Sequence, residues 1–251
     1  VSPKSSMILL IALILGIAIP AGILYLINFL RYKIEGHDDV VALTKLPIIA
    51  DVAIASDQAK TKADIVVHEN KNNMMEEVFR SMRTNLQFML KEGQKIMMFT
   101  STTSGEGKTF TAANLAMSFA LLDKKVILVG LDIRKPRLAE LFEIDDHHHG
   151  ITNLLVNENN TWETVKGQIL ESGINKNLQL LMAGPIPPNP AELMTRKSLD
   201  DIMDILKEKY DYVIIDTAPV GLVTDTLQIG RVSDITVYLC RADYTPKAAF
   251  G

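Results

Sequence analysis

One segment limits the choice of fold more than any other. Ile96-Met97-Met98-Phe99-Thr100 runs without a break into Ser101-Thr102-Thr103-Ser104-Gly105-Glu106-Gly107-Lys108-Thr109, and a helical pattern begins at about Thr109. A buried strand, a glycine-bearing loop and a helix in that order make a phosphate cradle. Glycines let backbone N–H groups converge on an anion, and the helix N-terminus adds positive partial charge. A lysine at the loop's end reaches the outer phosphate oxygens, and the hydroxyl after it serves Mg²⁺. The nucleotide-binding residues are then Thr103, Ser104, Gly105, Glu106, Gly107, Lys108, Thr109 and Phe110. The usual first glycine, six residues before the lysine, is Thr102, so the motif is a variant. Taken alone, the segment also fits a plain flexible turn.

The chain around this segment alternates. Strands are expected over 95–100, 125–131, 178–182, 212–216 and 235–240. Helices are expected over 108–122, 191–209 and near 226–231, with short helices through about Val156. Alternation with nearly continuous apolar strands predicts an α/β fold, a mostly parallel sheet covered by helices on both faces. Two of the strands end in acids. Tyr212-Val213-Ile214-Ile215-Asp216 puts a carboxylate at the C-terminal edge, where open α/β sheets bind ligands, although Asp216 is also compatible with a helix cap. Val126-Ile127-Leu128-Val129-Gly130-Leu131-Asp132-Ile133-Arg134 ends in a second acid followed by an arginine. Two acids near one phosphate loop are what metal-assisted phosphoryl transfer needs, with Thr109, Asp132 and Asp216 as the Mg²⁺ set.

Met7 to Leu30 is almost wholly apolar, and its 24 residues make roughly 36 Å of helix, enough to cross a hydrocarbon core of about 30 Å. Tyr25, Asn28 and Phe29 suit an interfacial level, and Arg31 and Lys33 against Lys4 alone place the long C-terminal part in the cytoplasm. Residues 31–73 are mixed and weakly periodic, and read as a linker. The formal charge of −4, from 26 basic and 30 acidic residues, gives no pull toward nucleic acid. Cys240 is the single cysteine and lies in an apolar strand, so it reads as a core thiol in a reducing compartment.

Val78, Met82, Leu86 and Met89 recur at helical spacing between Asn73 and Leu90. Glu77, Arg80 and Arg83, three apart, share one face of that helix. Spacing alone describes a solvated stripe with an intrahelical Glu77–Arg80 pair worth about 0.2–0.5 kcal/mol. His147-His148-His149 beside Asp145 and Asp146 reads as a solvated loop, because adjacent residues rarely converge on one ion. Trp162 reads as a packing or capping residue of a surface helix.

Together these motifs resemble the bacterial tyrosine kinase family of capsular and exopolysaccharide biosynthesis, whose kinase domain carries Walker A, Walker A′ and Walker B motifs. The match runs from Ser2-Pro3-Lys4 ahead of the membrane helix through all three nucleotide motifs, and includes Gly184-Pro185-Ile186-Pro187-Pro188-Asn189-Pro190-Ala191-Glu192-Leu193. The resemblance implies a P-loop NTPase fold of the MinD and ParA type. Residues 1–6 would end a periplasmic region, 7–30 span the inner membrane, 31–73 link, and 74–251 form a cytoplasmic kinase domain, incomplete at its C-terminus. It implies an ATP- and Mg²⁺-dependent protein-tyrosine kinase that phosphorylates a neighbour's tyrosine-rich tail. Lys108, Asp132, Asp216 and Arg134 would be its catalytic residues, and Asp132 would also take the tyrosine proton. Arg134 would steady phosphate or an acidic surface loop. Glu77, Arg80 and Arg83 would join kinase domains into a ring, and the partners would be the polysaccharide export machinery and a tyrosine phosphatase.

One departure stands out. The family's A′ pattern is three apolar residues and then Asp-x-Asp-x-Arg, and its first aspartate is Gly130 here. The six tyrosines, Tyr25, Tyr32, Tyr210, Tyr212, Tyr238 and Tyr244, are scattered, so the acceptor tail is expected outside this sequence. Two other functions compete. One is an assembly module in which ATP drives ring formation and chain-length control without phosphorylation. The other is a partitioning-type ATPase, disfavoured because that group carries a lysine near the position of Thr103 and this loop has none.

Overall fold

The computed structural model describes residues 5–30, 32–53, 65–68 and 73–250. Ser2-Pro3-Lys4 and Arg31 lie outside the described residues. The chain divides into two compact units, Lys45–Arg241 and a smaller one made of Val1–Thr44 with Ala242–Gly251.

In the larger unit, six strands are described: β1 (Ile96–Ser101), β2 (Val126–Gly130), β3 (Leu170–Glu171), β4 (Leu178–Leu181), β5 (Tyr212–Asp216) and β6 (Ile235–Leu239). They lie in the order β3-β4-β2-β5-β1-β6, parallel except for the antiparallel β3–β4 pair. The alternation of side chains along each strand builds two cores. Met97, Phe99, Leu128, Leu180 and Ile214 face one, under α3 (Met74–Met89) and α4 (Lys108–Ala120). Ile96, Met98, Ile127, Val129, Leu181, Val213 and Ile215 face the other, under α9 (Lys197–Lys209) and the short α6 (Ile151–Leu155). Strands buried on both sides read as continuous apolar runs, which is why the sequence pattern located them. On α4, Ala112, Ala113, Ala116 and Ala120 are fully buried, and their small size lets the helix lie close to the sheet.

Three local features escape the sequence pattern. β3 is two residues long, too short to show any alternation. The single helix expected over 191–209 is two, α8 (Pro190–Thr195) and α9, separated by Arg196 in an extended conformation (φ −70°, ψ 148°). Arg231 stabilises the break: its guanidinium donates to the carbonyls of Met194 at 2.7 Å and Arg196 at 3.0 Å, taking acceptors that an unbroken helix would satisfy itself. Within the stretch expected to be a linker, Ile65 and Val67 are buried in the core beneath α3 and α4. The amides of Val66 and Val67 donate to Asn114 Oδ1 on α4, at 2.8 and 3.2 Å. A short polar-flanked segment shows no periodicity, so its burial rests on one asparagine that the sequence does not flag.

Gly150 and Gly184 pack backbone to backbone. A Cβ on Gly150 would stand 2.2 Å from the Gly184 nitrogen and 2.5 Å from its Cα, atoms that cannot swing aside. Gly150→Ala is expected to cost about 1–3 kcal/mol, measured as a lower urea midpoint at unchanged slope.

In the smaller unit, α1 (Ser5–Leu30) is a 26-residue helix with Pro20 inside it. Its Ser5–Leu26 portion is long and apolar enough to cross a membrane. Beyond it, Ile34 N donates to Thr245 O at 2.9 Å and Lys247 N to Tyr32 O at 2.7 Å, and α2 (His37–Leu43) offers Asp39 to Lys247 at 2.8 Å.

Cys240, expected as a core thiol in a strand, is only half-buried and follows the end of β6 at Leu239. Asp146 accepts from the His148 amide and from His149 Nδ1, both at 2.7–2.8 Å, and these bonds lower its carboxyl to about 2. Trp162 begins α7 (Trp162–Lys166) and packs edge-on against Tyr210 at 6.5 Å.

Candidate functional site

The site begins where β1 ends. Gly105 and Gly107 take positive φ values of 87° and 94°, a left-handed backbone that a side chain would strain. Gly107 caps α4, whose first residue is Lys108. Glu106 is buried and braces the loop, its Oε2 accepting from the Thr103 amide at 2.7 Å. Arg241, just after β6, donates to the Gly105 carbonyl at 3.0 Å. Thr102, at the position of the usual first glycine, shares a 2.5 Å hydrogen bond with the Tyr238 hydroxyl on β6. The loop after β5 presses against it, since a Cβ on Gly221 would lie 2.5 Å from Thr102 O.

Lys108 is buried, with Nζ donating to Ser101 Oγ at 3.0 Å. Burial lowers its pKa, and the nearby Asp216, Asp132 and Glu106 carboxylates act against that shift. Thr109 Oγ1 donates to Asp216 Oδ2 at 2.7 Å. Asp216 is only 2% exposed, and burial pushes its carboxyl up to about 7. Its other oxygen, Oδ1, is buried and makes no hydrogen bond. Asp132 is also raised by burial, and its Oδ1 accepts from the Lys135 amide at 3.0 Å. Asp132, Asp216 and Gly130 line one cavity at the C-terminal edge of the sheet. The β2–β5 register puts Gly130 directly opposite Asp216, so an aspartate there would set two carboxylates side by side on one face.

A hydroxyl and a carboxylate with one unused buried oxygen form an all-oxygen donor set, which suits Mg²⁺. The left-handed glycines and the α4 N-terminus suit a polyphosphate. The residues therefore fit both groups, with Thr109 and Asp216 closest to the loop and Asp132 across the cavity.

The other candidates are placed less simply. Phe110 turns its ring toward Phe79 on α3, centroids 5.9 Å apart, so its side chain serves the core. Arg134 pairs through Nε with Asp225 Oδ2 at 2.7 Å, at the start of α10 (Asp225–Ile229). Asp225 is a buried residue at a helix start, so this pair is neither the phosphate contact nor the acidic surface loop expected for Arg134. Glu77 and Arg80 are 67% and 45% exposed and pair with each other at 3.0 Å. Arg83 turns inward, donating to Ser118 O at 2.5 Å and Ser118 Oγ at 2.9 Å. Three-residue spacing gives a shared helix face, but a long side chain near one edge of that face reaches the neighbouring helix. Sequence reasoning missed Arg241, Tyr238 and Asp225, each of which meets its partner only through the tertiary fold.

A family model described as an AAA domain matches residues 94–237. Tyrosine-protein kinase YwqD of Bacillus subtilis (strain 168) is 34% identical over 190 residues, covering 75% of this chain and 78% of that protein. The chain belongs to the bacterial tyrosine kinase family. Among solved structures, the BceF tyrosine kinase domain superposes on this family member with a TM-score of 0.72 at 30% identity, over 85% of this chain and 88% of that one. Tyrosine-protein kinase ptk of Acinetobacter johnsonii is 30% identical over 250 residues, 96% of this chain and 33% of that protein, so here the chain spans about a third of a longer relative. Gly130 stands two residues before Asp132, and a Cβ added to it would meet Leu138 Cδ1 at 3.1 Å.

Proposed function

We propose that this chain is the membrane-anchored catalytic part of an ATP-dependent protein-tyrosine kinase that controls the chain length and export of capsular or exopolysaccharide. The reading rests above all on one observation: Lys108, Thr109 and Asp216 converge at the glycine loop, with Asp132 lining the same cavity. Lys108 and the loop amides hold the β- and γ-phosphates, Thr109 and Asp216 hold the metal, and Asp132 accepts the proton of the acceptor phenol. Bound Mg²⁺ neutralises charge that develops on the transferring phosphoryl group. The residues' task is otherwise positioning and electrostatics, since this chemistry asks for little covalent help. Residues 7–30 anchor the protein in the inner membrane with the kinase domain, 74–251, in the cytoplasm and 31–73 joining them.

In this reading copies of the chain form a ring through the α3 face, Glu77 and Arg80 offering the exposed charges and Arg83 bracing α3 on α4. Each copy phosphorylates a tyrosine-rich tail of its neighbour, and a tyrosine phosphatase reverses the modification. Gly130 favours one other reading, an assembly module that binds ATP without phosphorylating. Mass spectrometry of the full-length protein for phosphotyrosine separates them. Modified tyrosines that vanish in an ATP-depleted strain support the kinase, and ATP binding without any phosphotyrosine supports the module.

Mg²⁺ must compete with a proton at Asp216, because burial pushes that carboxyl up to about 7. The affinity for Mg²⁺–nucleotide is expected to level off above pH 7 and to fall below it, by up to about tenfold per pH unit. Calorimetric titration between pH 5.5 and 8.5 reads this directly. Nucleotide affinity without added divalent ion should change less over the same range.

A further inference from the structure

A second, open groove lies beside the cavity that holds Asp132 and Asp216. Arg134, Lys135, Arg137 and His147 line it, with Pro185 and the exposed Ile186. Its lining carries three permanent cations against one carboxylate, Glu140, in a chain whose formal charge is −4. The two hollows are continuous, sharing Pro136, Arg137, His147 and Gly184. Asp132 belongs to the cavity, and the next turn of chain, Arg134–Arg137, carries the groove's cations. Arg134 spends only its Nε on Asp225, and Arg137 is 63% exposed with Glu140 as its neighbour at 2.7 Å. An extended segment at about 3.3–3.6 Å per residue, with a side chain in the cavity, would lay its flanking residues along this wall.

We propose that the groove selects acidic residues flanking the acceptor tyrosine, so that the protein substrate is an acidic tyrosine-bearing segment. The proposal rests on the kinase reading above. Planar guanidinium groups pair well with carboxylates, and exposed like charge on a competing peptide would be repelled. Ile186 supplies an apolar surface for a ring or aliphatic chain beside the charges.

Full-length protein in detergent, saturated with Mg²⁺–nucleotide, tests this with fluorescent peptides carrying phenylalanine at the acceptor position. Flanks of Asp and Glu, of Ser and Gln, or of Lys are compared by anisotropy. The acidic peptide is expected to bind roughly tenfold more tightly than the neutral one, the gap closing as salt rises. In the double variant Lys135→Glu, Arg137→Glu, compared at saturating Mg²⁺–nucleotide, the preference should invert toward the Lys-flanked peptide. Should that variant not fold, Lys135→Gln alone is expected to narrow the gap about threefold. Equal affinity for acidic and neutral peptides, or an unaltered preference in the folded variant, overturns the proposal. Tyrosine versions of the same peptides test the kinase reading separately. An acidic peptide that binds selectively and is never phosphorylated contradicts that reading, and with it the groove's role in choosing a substrate.

Discussion

Lys108→Met is expected to lower tyrosine phosphorylation by the full-length protein by at least about 10²–10³-fold while leaving the protein folded. Lys108 Nζ lies inside the molecule, 3.0 Å from Ser101 Oγ, with Asp216, Asp132 and Glu106 acting on its charge. It is the cation buried within the loop, whereas Arg241, the other cation on the loop, is exposed and donates to the Gly105 carbonyl. Methionine has nearly the same length and shape, and it removes a charge that burial already disfavours. The melting temperature should therefore hold or rise slightly. Phosphotyrosine blotting and calorimetric nucleotide titration, beside a thermal melt, check all three parts. A Lys108→Met protein that still phosphorylates at a tenth of the normal rate would remove Lys108 from the chemistry.

Asp216→Asn separates stability from activity in the opposite sense. Asparagine keeps an acceptor for Thr109 Oγ1, now 2.7 Å from Asp216 Oδ2, but not the charge. Burial raises the Asp216 carboxyl to about 7, against about 3.9 in the unfolded chain. A raised acid favours its neutral form in the fold, so its contribution to stability is fully present below about pH 4 and is lost as pH climbs through 7. Asp216→Asn should abolish that decline and make the protein more stable than the wild type at pH 8. Phosphorylation should fall by about 10²–10³-fold, together with the Mg²⁺ dependence of nucleotide affinity. Urea unfolding at pH 5 and pH 8 reads the first effect, and phosphotyrosine formation over a Mg²⁺ titration reads the second. Stability that falls equally in both proteins over this range would mean that Asp216 does not carry the buried charge.

What the sequence made legible follows from burial. β1, β2 and β5 are buried on both faces or nearly so, and a strand of that kind announces itself as an uninterrupted apolar run. Asp132 and Asp216 stood out because each ends or closely follows such a run. Gly105, Gly107 and Lys108 stood out because no ordinary turn needs that order. What remained hidden depends on partners distant in sequence. Asn114 looks like any helix residue until Val66 and Val67 are seen on its carboxamide oxygen. Arg83 shares a helical face with Glu77 by spacing, yet Ser118 of α4 draws it inward. Arg134 had two plausible partners, and only the fold brings Asp225, 91 residues away, to its Nε. The break at Arg196 needed Arg231, which local propensity cannot register.

The arrangement also gives Gly130 a physical meaning. In the register of β2 and β5 it faces Asp216, so an acid there would add a like charge next to a carboxyl already raised by burial. With glycine, β2 offers no carboxylate opposite Asp216, and Asp132 and Asp146 are the other acids that line the cavity; the kinase reading proposed above gives proton acceptance from the phenol to Asp132.

The most direct test is a crystal structure with Mg²⁺ and a non-hydrolysable ATP analogue. The metal should lie about 2.1 Å from Thr109 Oγ1, with the Asp216 carboxylate on it directly or through one water, and Lys108 Nζ should contact the γ-phosphate. A metal ligated elsewhere, or a triphosphate lying outside the Gly105–Thr109 turn, would contradict the account.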